Sequence, residues 1–145
     1  MRDVGSAMRL ARVAGVVGAV LLWASAGVGL AQEKEVLEGG KQAFSQYCGI
    51  CHGLDGKGKG LVANVLTVPP TDLTQMTKQN NGEFPFWRLY RVCDGREVVK
   101  GHGTEDMPVW GTRFRAEAGS GPAAESQVRG RVLEILFYLQ SIQEK

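Results

Sequence analysis

The sequence predicts an all-α domain in which three to four helices enclose an internal apolar disc. Three observations carry that expectation. An apolar stripe at helical spacing precedes residue 48, a second and longer stripe ends the chain, and between them stands Cys48-Gly49-Ile50-Cys51-His52, two thiols and an imidazole packed into five residues.

The chain has 145 residues and opens with Arg2, Arg9 and Arg12, then runs from Val13 to Ala31 without a charged side chain, ending in small residues. A basic start, an apolar middle and a small-residue end are the order of a secretory signal. Cleavage can fall after Ala26 or after Ala31; the second is preferred, because charged, helix-like sequence begins directly after it. The expectation is a signal peptide over 1–31 and one domain over 32–145, located in the periplasm. An uncleaved membrane anchor is the alternative, since the run reaches the roughly 18 residues of a spanning helix, although its many Gly and Ala residues make it weakly hydrophobic. Met8 offers a second start that leaves a shorter signal.

Removing 31 of 145 residues leaves 114, one small domain with 14 Lys and Arg (17 less Arg2, Arg9 and Arg12) and 14 Asp and Glu (15 less Asp3). Such a neutral balance gives no argument for nucleic acid. Three cysteines are too few for a disulfide framework in an exported domain. A domain this small buries limited surface of its own, so another group is expected to supply part of the core.

The first helix is read over Glu33 to Tyr47, with Val36, Leu37, Gly40, Phe44 and Tyr47 on one stripe. Gly40 on that stripe costs about 1 kcal/mol against Ala, which points to close approach of another helix there. A glycine-rich loop, "HGLDGKGKG", leaves the Cys-His pentapeptide. A further helix is read over Glu83 to Cys93, with Asn81 as cap, Pro85 near its start and Asp94-Gly95 as its stop. The last helix begins at Pro122, capped by Ser120 or Gly121, and puts Val128, Val132, Ile135, Leu136, Leu139 and Ile142 on one face. Its Phe137 and Tyr138 are expected to lie against Gly40 and Phe44.

A C-x-x-C pair has three ordinary uses: half a zinc site, a thioredoxin-like redox pair, or covalent attachment of haem. Zinc with four protein ligands wants a second Cys or His pair, and only Cys93 and His102 remain. A redox pair wants a strand before it, whereas the residues before Cys48 read as helix. Haem explains all three residues together: Cys48 and Cys51 add to the porphyrin vinyl groups, and His52 ligates the iron. Candidates for a sixth ligand are Met76, His102 and Met107. Met107 is preferred, because it lies 55 residues beyond His52 in "GHGTEDMPVWG", where Pro108 and flanking glycines make a stiff loop. Met76 reads as a half-exposed packing residue, and His102, between two glycines, as part of a surface turn.

"GKQAFSQYCGICHG", "PPTDLT", "DMPVWG" and "LEILFYLQSI" together resemble the class I cytochromes c, over essentially all of the chain after residue 31. The resemblance implies a cytochrome c fold, one covalent haem c with His52 proximal and Met107 distal, and one-electron transfer without bond-making chemistry, so no enzyme. It also implies that the carbonyl of Pro69 or Pro70 accepts the Nδ1 proton of His52. Cys93 departs from the plainest pattern, as a third thiol in an oxidising compartment; it reads as buried and inert, with an intermolecular disulfide or a ligand role as alternatives.

An iron closed on both faces leaves only electron movement through an exposed haem edge, between a donor and an acceptor that dock weakly. Lys57, Lys59, Arg88, Arg91, Arg96 and Lys100 would form a basic rim, but Asp55, Asp94 and Glu97 are interleaved, which reads as a mixed solvated surface. The competing functions are a cytochrome subunit of a larger dehydrogenase, and a haem-based gas sensor or peroxidase-type enzyme in which Met107 does not bind the iron.

Overall fold

The structure, a computed structural model, describes residues 29, 31–97 and 110–144. The chain divides into two units, residues 1–35 and 36–145. Of the first unit, residues 29 and 31–35 are described, and they are helical. The expected signal peptide otherwise lies outside the described residues, as do His102 and Met107. Among the described residues there is no strand, and no helix is long and apolar enough to cross a membrane.

Residues 31–47 form α1, and Gly49–His52 a short helix, α2. Met76–Gln79 (α3) and Phe86–Asp94 (α4) follow, then Trp110–Ala118 (α5) and Pro122–Ser141 (α6). The all-α reading holds, with more helices than the three or four expected.

The core is where the two stripes meet. Phe44 on α1 and Val128, Val132, Ile135, Leu136 and Leu139 on α6 are all buried. Gly40 lets the helices touch: a β-carbon there would overlap the Glu134 carbonyl oxygen and stand 3.0 Å from the Tyr138 Cβ. Tyr138 packs on Phe44, with ring centroids 5.4 Å apart. Phe137 does not join them; it is exposed and meets Phe86 of α4 at 5.3 Å instead. Neighbouring helical positions lie about 100° apart, so one residue of the pair had to leave the α1 face.

Pro122 is the first residue of α6, and Gly121, at φ 98°, is its cap residue, with no side-chain cap bond. The α4 helix starts three residues later than expected, at Phe86, and Asn81 does not cap it. Asn81 sits in a left-handed turn at φ 58°. Asn80 instead ties that turn, its Nδ2 donating to the Glu83 carbonyl at 2.8 Å. Pro85 explains the delay, since proline disfavours helical geometry in the residue before it. The stop falls at Asp94-Gly95, with Gly95 N–H on the Val92 carbonyl and Arg96 N–H on that of Arg91, a Schellman ending.

The α5 helix was not foreseen. Its Trp110, Phe114 and Ala118 recur at four-residue spacing, and Phe114 is buried against Tyr47 of α1, centroids 4.9 Å apart. A polar node joins three helices beside them: Tyr47 Oη and Arg131 Nη1 both donate to Glu117 at 2.9 Å, and Arg131 lies over the Phe114 ring. The Tyr47 hydroxyl, with Arg131 and Arg113 beside it, holds the Glu117 carboxyl below the usual carboxylate range.

The chain end clasps the loop after Pro70. Gln143 Nε2 donates to the Leu73 carbonyl at 2.8 Å, Thr77 N–H donates to Gln143 Oε1 at 2.9 Å, and Lys57 and Gln75 both reach the Glu144 carboxylate at 2.7 Å. That clasp fixes one wall of the cavity described next.

Candidate cofactor-binding site

The pentapeptide is a single helical turn set on the end of α1. Cys51 and His52 N–H groups both bond the Cys48 carbonyl, so the thiols and the imidazole leave one rigid turn. The glycines that follow fold the chain back beneath it. Gly60 N–H donates to the Cys51 carbonyl at 2.9 Å and Gly58 N–H to the His52 carbonyl at 2.7 Å. Gly58 stands at φ 75° with the Pro70 carbonyl directly over its α-carbon, a position that leaves no room for a side chain.

That packing decides what holds the imidazole. His52, 5% exposed, donates from Nδ1 to the carbonyl of Thr71 at 2.9 Å. The acceptor is therefore neither Pro69 nor Pro70. The Pro70 carbonyl is turned onto Gly58, and the next carbonyl along the chain is the one presented to His52. A carbonyl can only accept, so Nδ1 carries the proton and the neutral ring has its lone pair on Nε2, the tautomer a metal ligand needs.

His52 and Cys48 share the wall of a cleft of about 260 Å³ that is partly open to solvent. Its lining is mainly apolar: Phe44, Leu73, Leu89, Val92, Ile135 and Leu139. Arg88 and Gln79 add polar groups to it. An apolar slot with a thiol on one wall, beside an imidazole whose Nδ1 is tied to a carbonyl, fits a porphyrin whose iron would be held by His52. Cys51, half-buried on the same turn, is not among the residues lining the cleft.

Two further sulfur side chains line it. Met76 is half-buried, as expected, yet faces the same space as His52. Cys93 also faces the cleft, and burial, with Asp94 next to it, pushes its thiol up to about 12. Cys48 is raised as well, first by burial and then by the nearby Cys93 and Cys51. Position 93 as a cleft residue was legible only in part: the amphipathic pattern gave burial, not which space it faces.

The basic rim is largely neutralised. Arg88 and Arg91 share Glu97 at 3.0 Å, Arg96 pairs with Asp94, and Lys57 with Glu144. Lys100 lies outside the described residues.

Residues 35–101 match the family model described as cytochrome C oxidase, cbb3-type, subunit III. That span contains the Cys48–His52 turn, the Thr71 carbonyl and α4, and it ends before Met107. No curated protein and no solved structure matches the chain.

Proposed function

We propose, from the premise that this chain is a c-type cytochrome, that it is a periplasmic electron carrier with one covalently attached haem c, held through Cys48 and Cys51 and ligated by His52 and Met107. Haem c, when bound, supplies an iron that gains and loses one electron. The chain's own residues hold the imidazole in one orientation, give the cleft a mainly apolar lining, and bring the Cys48–His52 turn to one rigid position. The observation that carries the reading is the Nδ1 bond from His52 to Thr71 beside Cys48 in an apolar cleft. A thioether as sixth ligand raises the reduction potential relative to a second imidazole.

Export through residues 1–31 would place the domain with its redox partners, unidentified donor and acceptor proteins that dock transiently. Leu54, Leu61 and Val65, just after the attachment turn, are strongly exposed and offer an apolar docking face. A second reading, a cytochrome subunit of a larger oxidase or dehydrogenase, is favoured by the matched family's description as an oxidase subunit; an uncleaved N-terminal segment would then anchor it.

The ferric holoprotein tests the ligand assignment. It is expected to show the weak red absorption of methionine-bound iron, lost in Met107→Ala and kept in Met76→Leu. Loss of the band in Met76→Leu alone would move the sixth ligand to the cleft wall, and its absence from the wild type would favour His102, Cys93 or an open iron.

A further inference from the structure

The carbonyl that holds the His52 imidazole is itself framed on both sides. Before Thr71, the Pro70 carbonyl lies on Gly58; after it, Leu73 N–H donates to the Gly56 carbonyl at 2.8 Å, and the Leu73 carbonyl accepts from Gln143 Nε2 at 2.8 Å. Asp72 is tied as well, its Oδ1 accepting from Thr74 N–H at 2.9 Å and from the Thr74 hydroxyl at 2.6 Å. Gln143 Nε2 also donates to the Leu139 carbonyl at 2.8 Å, near the end of α6, and its Oε1 accepts from Thr77 N–H at 2.9 Å. An amide whose two hydrogens and oxygen are all engaged fixes orientation as well as distance. Its neighbours extend the hold. Glu144 N–H donates to the Thr74 carbonyl at 2.9 Å, and Ile142 packs on Gly56, where an added β-carbon would stand 3.1 Å from Ile142 Cδ1.

We propose that Gln143 is a positioning residue: by holding Leu73 and Thr77 on the end of α6, it keeps the Thr71 carbonyl on His52 Nδ1 and so sets how strongly the imidazole donates to the iron. The inference rests on the reading that His52 ligates the iron. Gln143 is not among the residues lining the cleft. It acts through Leu73, two residues beyond the carbonyl that His52 meets. A hydrogen bond from one ring nitrogen to a carbonyl makes the other nitrogen a more basic ligand, which favours ferric over ferrous iron. Loosening that bond therefore raises the reduction potential.

The test is Gln143→Leu, which keeps the side chain's approximate size and its neutrality and removes its hydrogen bonds to Leu73, Leu139 and Thr77. At a fixed ambient potential, the reduced-to-oxidised ratio of Q143L holoprotein is expected to rise roughly threefold, about 28 mV at 59 mV per tenfold for one electron. In the reduced, low-spin protein the His52 Nδ1 proton is expected to exchange with deuterium roughly fivefold faster, the weight of one buried hydrogen bond. Val128→Ala is the control for lost stability alone. Val128 is buried near the other end of α6 and is not among the residues lining the cleft, so V128A is expected to lower the thermal midpoint and leave potential and exchange rate at wild-type values. Should Q143L not yield holoprotein, Q143E carries the test: it keeps an oxygen for Thr77 N–H, loses both donors, and is expected to show the same faster exchange. Wild-type potential and exchange in Q143L, wild-type exchange in Q143E, or equal shifts in V128A would overturn the role of Gln143 while leaving His52 on the iron. A low-spin spectrum that survives in His52→Ala would remove the ligand reading, and this inference with it.

Discussion

Gly40→Ala destabilises the domain by about 2 kcal/mol, although alanine is the better helix former by about 1 kcal/mol. The new methyl group would overlap the Glu134 carbonyl oxygen and stand 2.6 Å from its carbon, and neither backbone atom can move without shifting α6. Helices α1 and α6 must then separate along the contact that buries Phe44, Leu136 and Tyr138. Overpacking of this kind costs about 1–3 kcal/mol, a large part of the roughly 5–15 kcal/mol that holds a domain together. Gly130→Ala is the matched control. It lies within α6 with nothing within 4 Å of the added carbon, so it is expected to gain up to about 1 kcal/mol. Denaturant titration of both variants decides the matter; a Gly40→Ala protein as stable as the wild type would mean that the crossing is not close.

His52→Ala has the larger effect on the site. In the proposed site it would remove the Nε2 ligand of the iron, and it breaks the buried bond to Thr71, worth about 1 kcal/mol by itself. With the haem held by the proposed thioethers, the variant is expected to lose the low-spin spectrum completely and to become high-spin and ligand-binding, while its far-UV helix signal changes little. Retention of the low-spin spectrum in His52→Ala would show that the proximal ligand is another residue.

Much of this was legible because it is local. The stripes of α1 and α6 follow from spacing alone, and Gly40 stood out as a glycine on an apolar face. The attachment turn needs nothing beyond five consecutive residues. What escaped reading depends on distant contacts. Trp110 and Gly111 read as the end of the methionine loop, with no element over residues 112–118, yet Gly111 lies in the first turn of a helix, pressed onto Asp94, seventeen residues upstream. Which carbonyl meets His52 depends on how the loop sits over Gly58, so the choice fell on Pro69 or Pro70 rather than Thr71. Asn81 had the chemistry of a cap, but Pro85 moved the start of α4 beyond its reach.

The account's central claim is an iron closed on both faces that moves electrons and binds nothing. Carbon monoxide tests it most directly, added to the dithionite-reduced holoprotein near neutral pH and followed by difference spectrum. The account predicts no carbon monoxide adduct in the wild type. A stoichiometric adduct forming at once would contradict it and put a gas-binding or peroxidase-type function in place of the electron carrier.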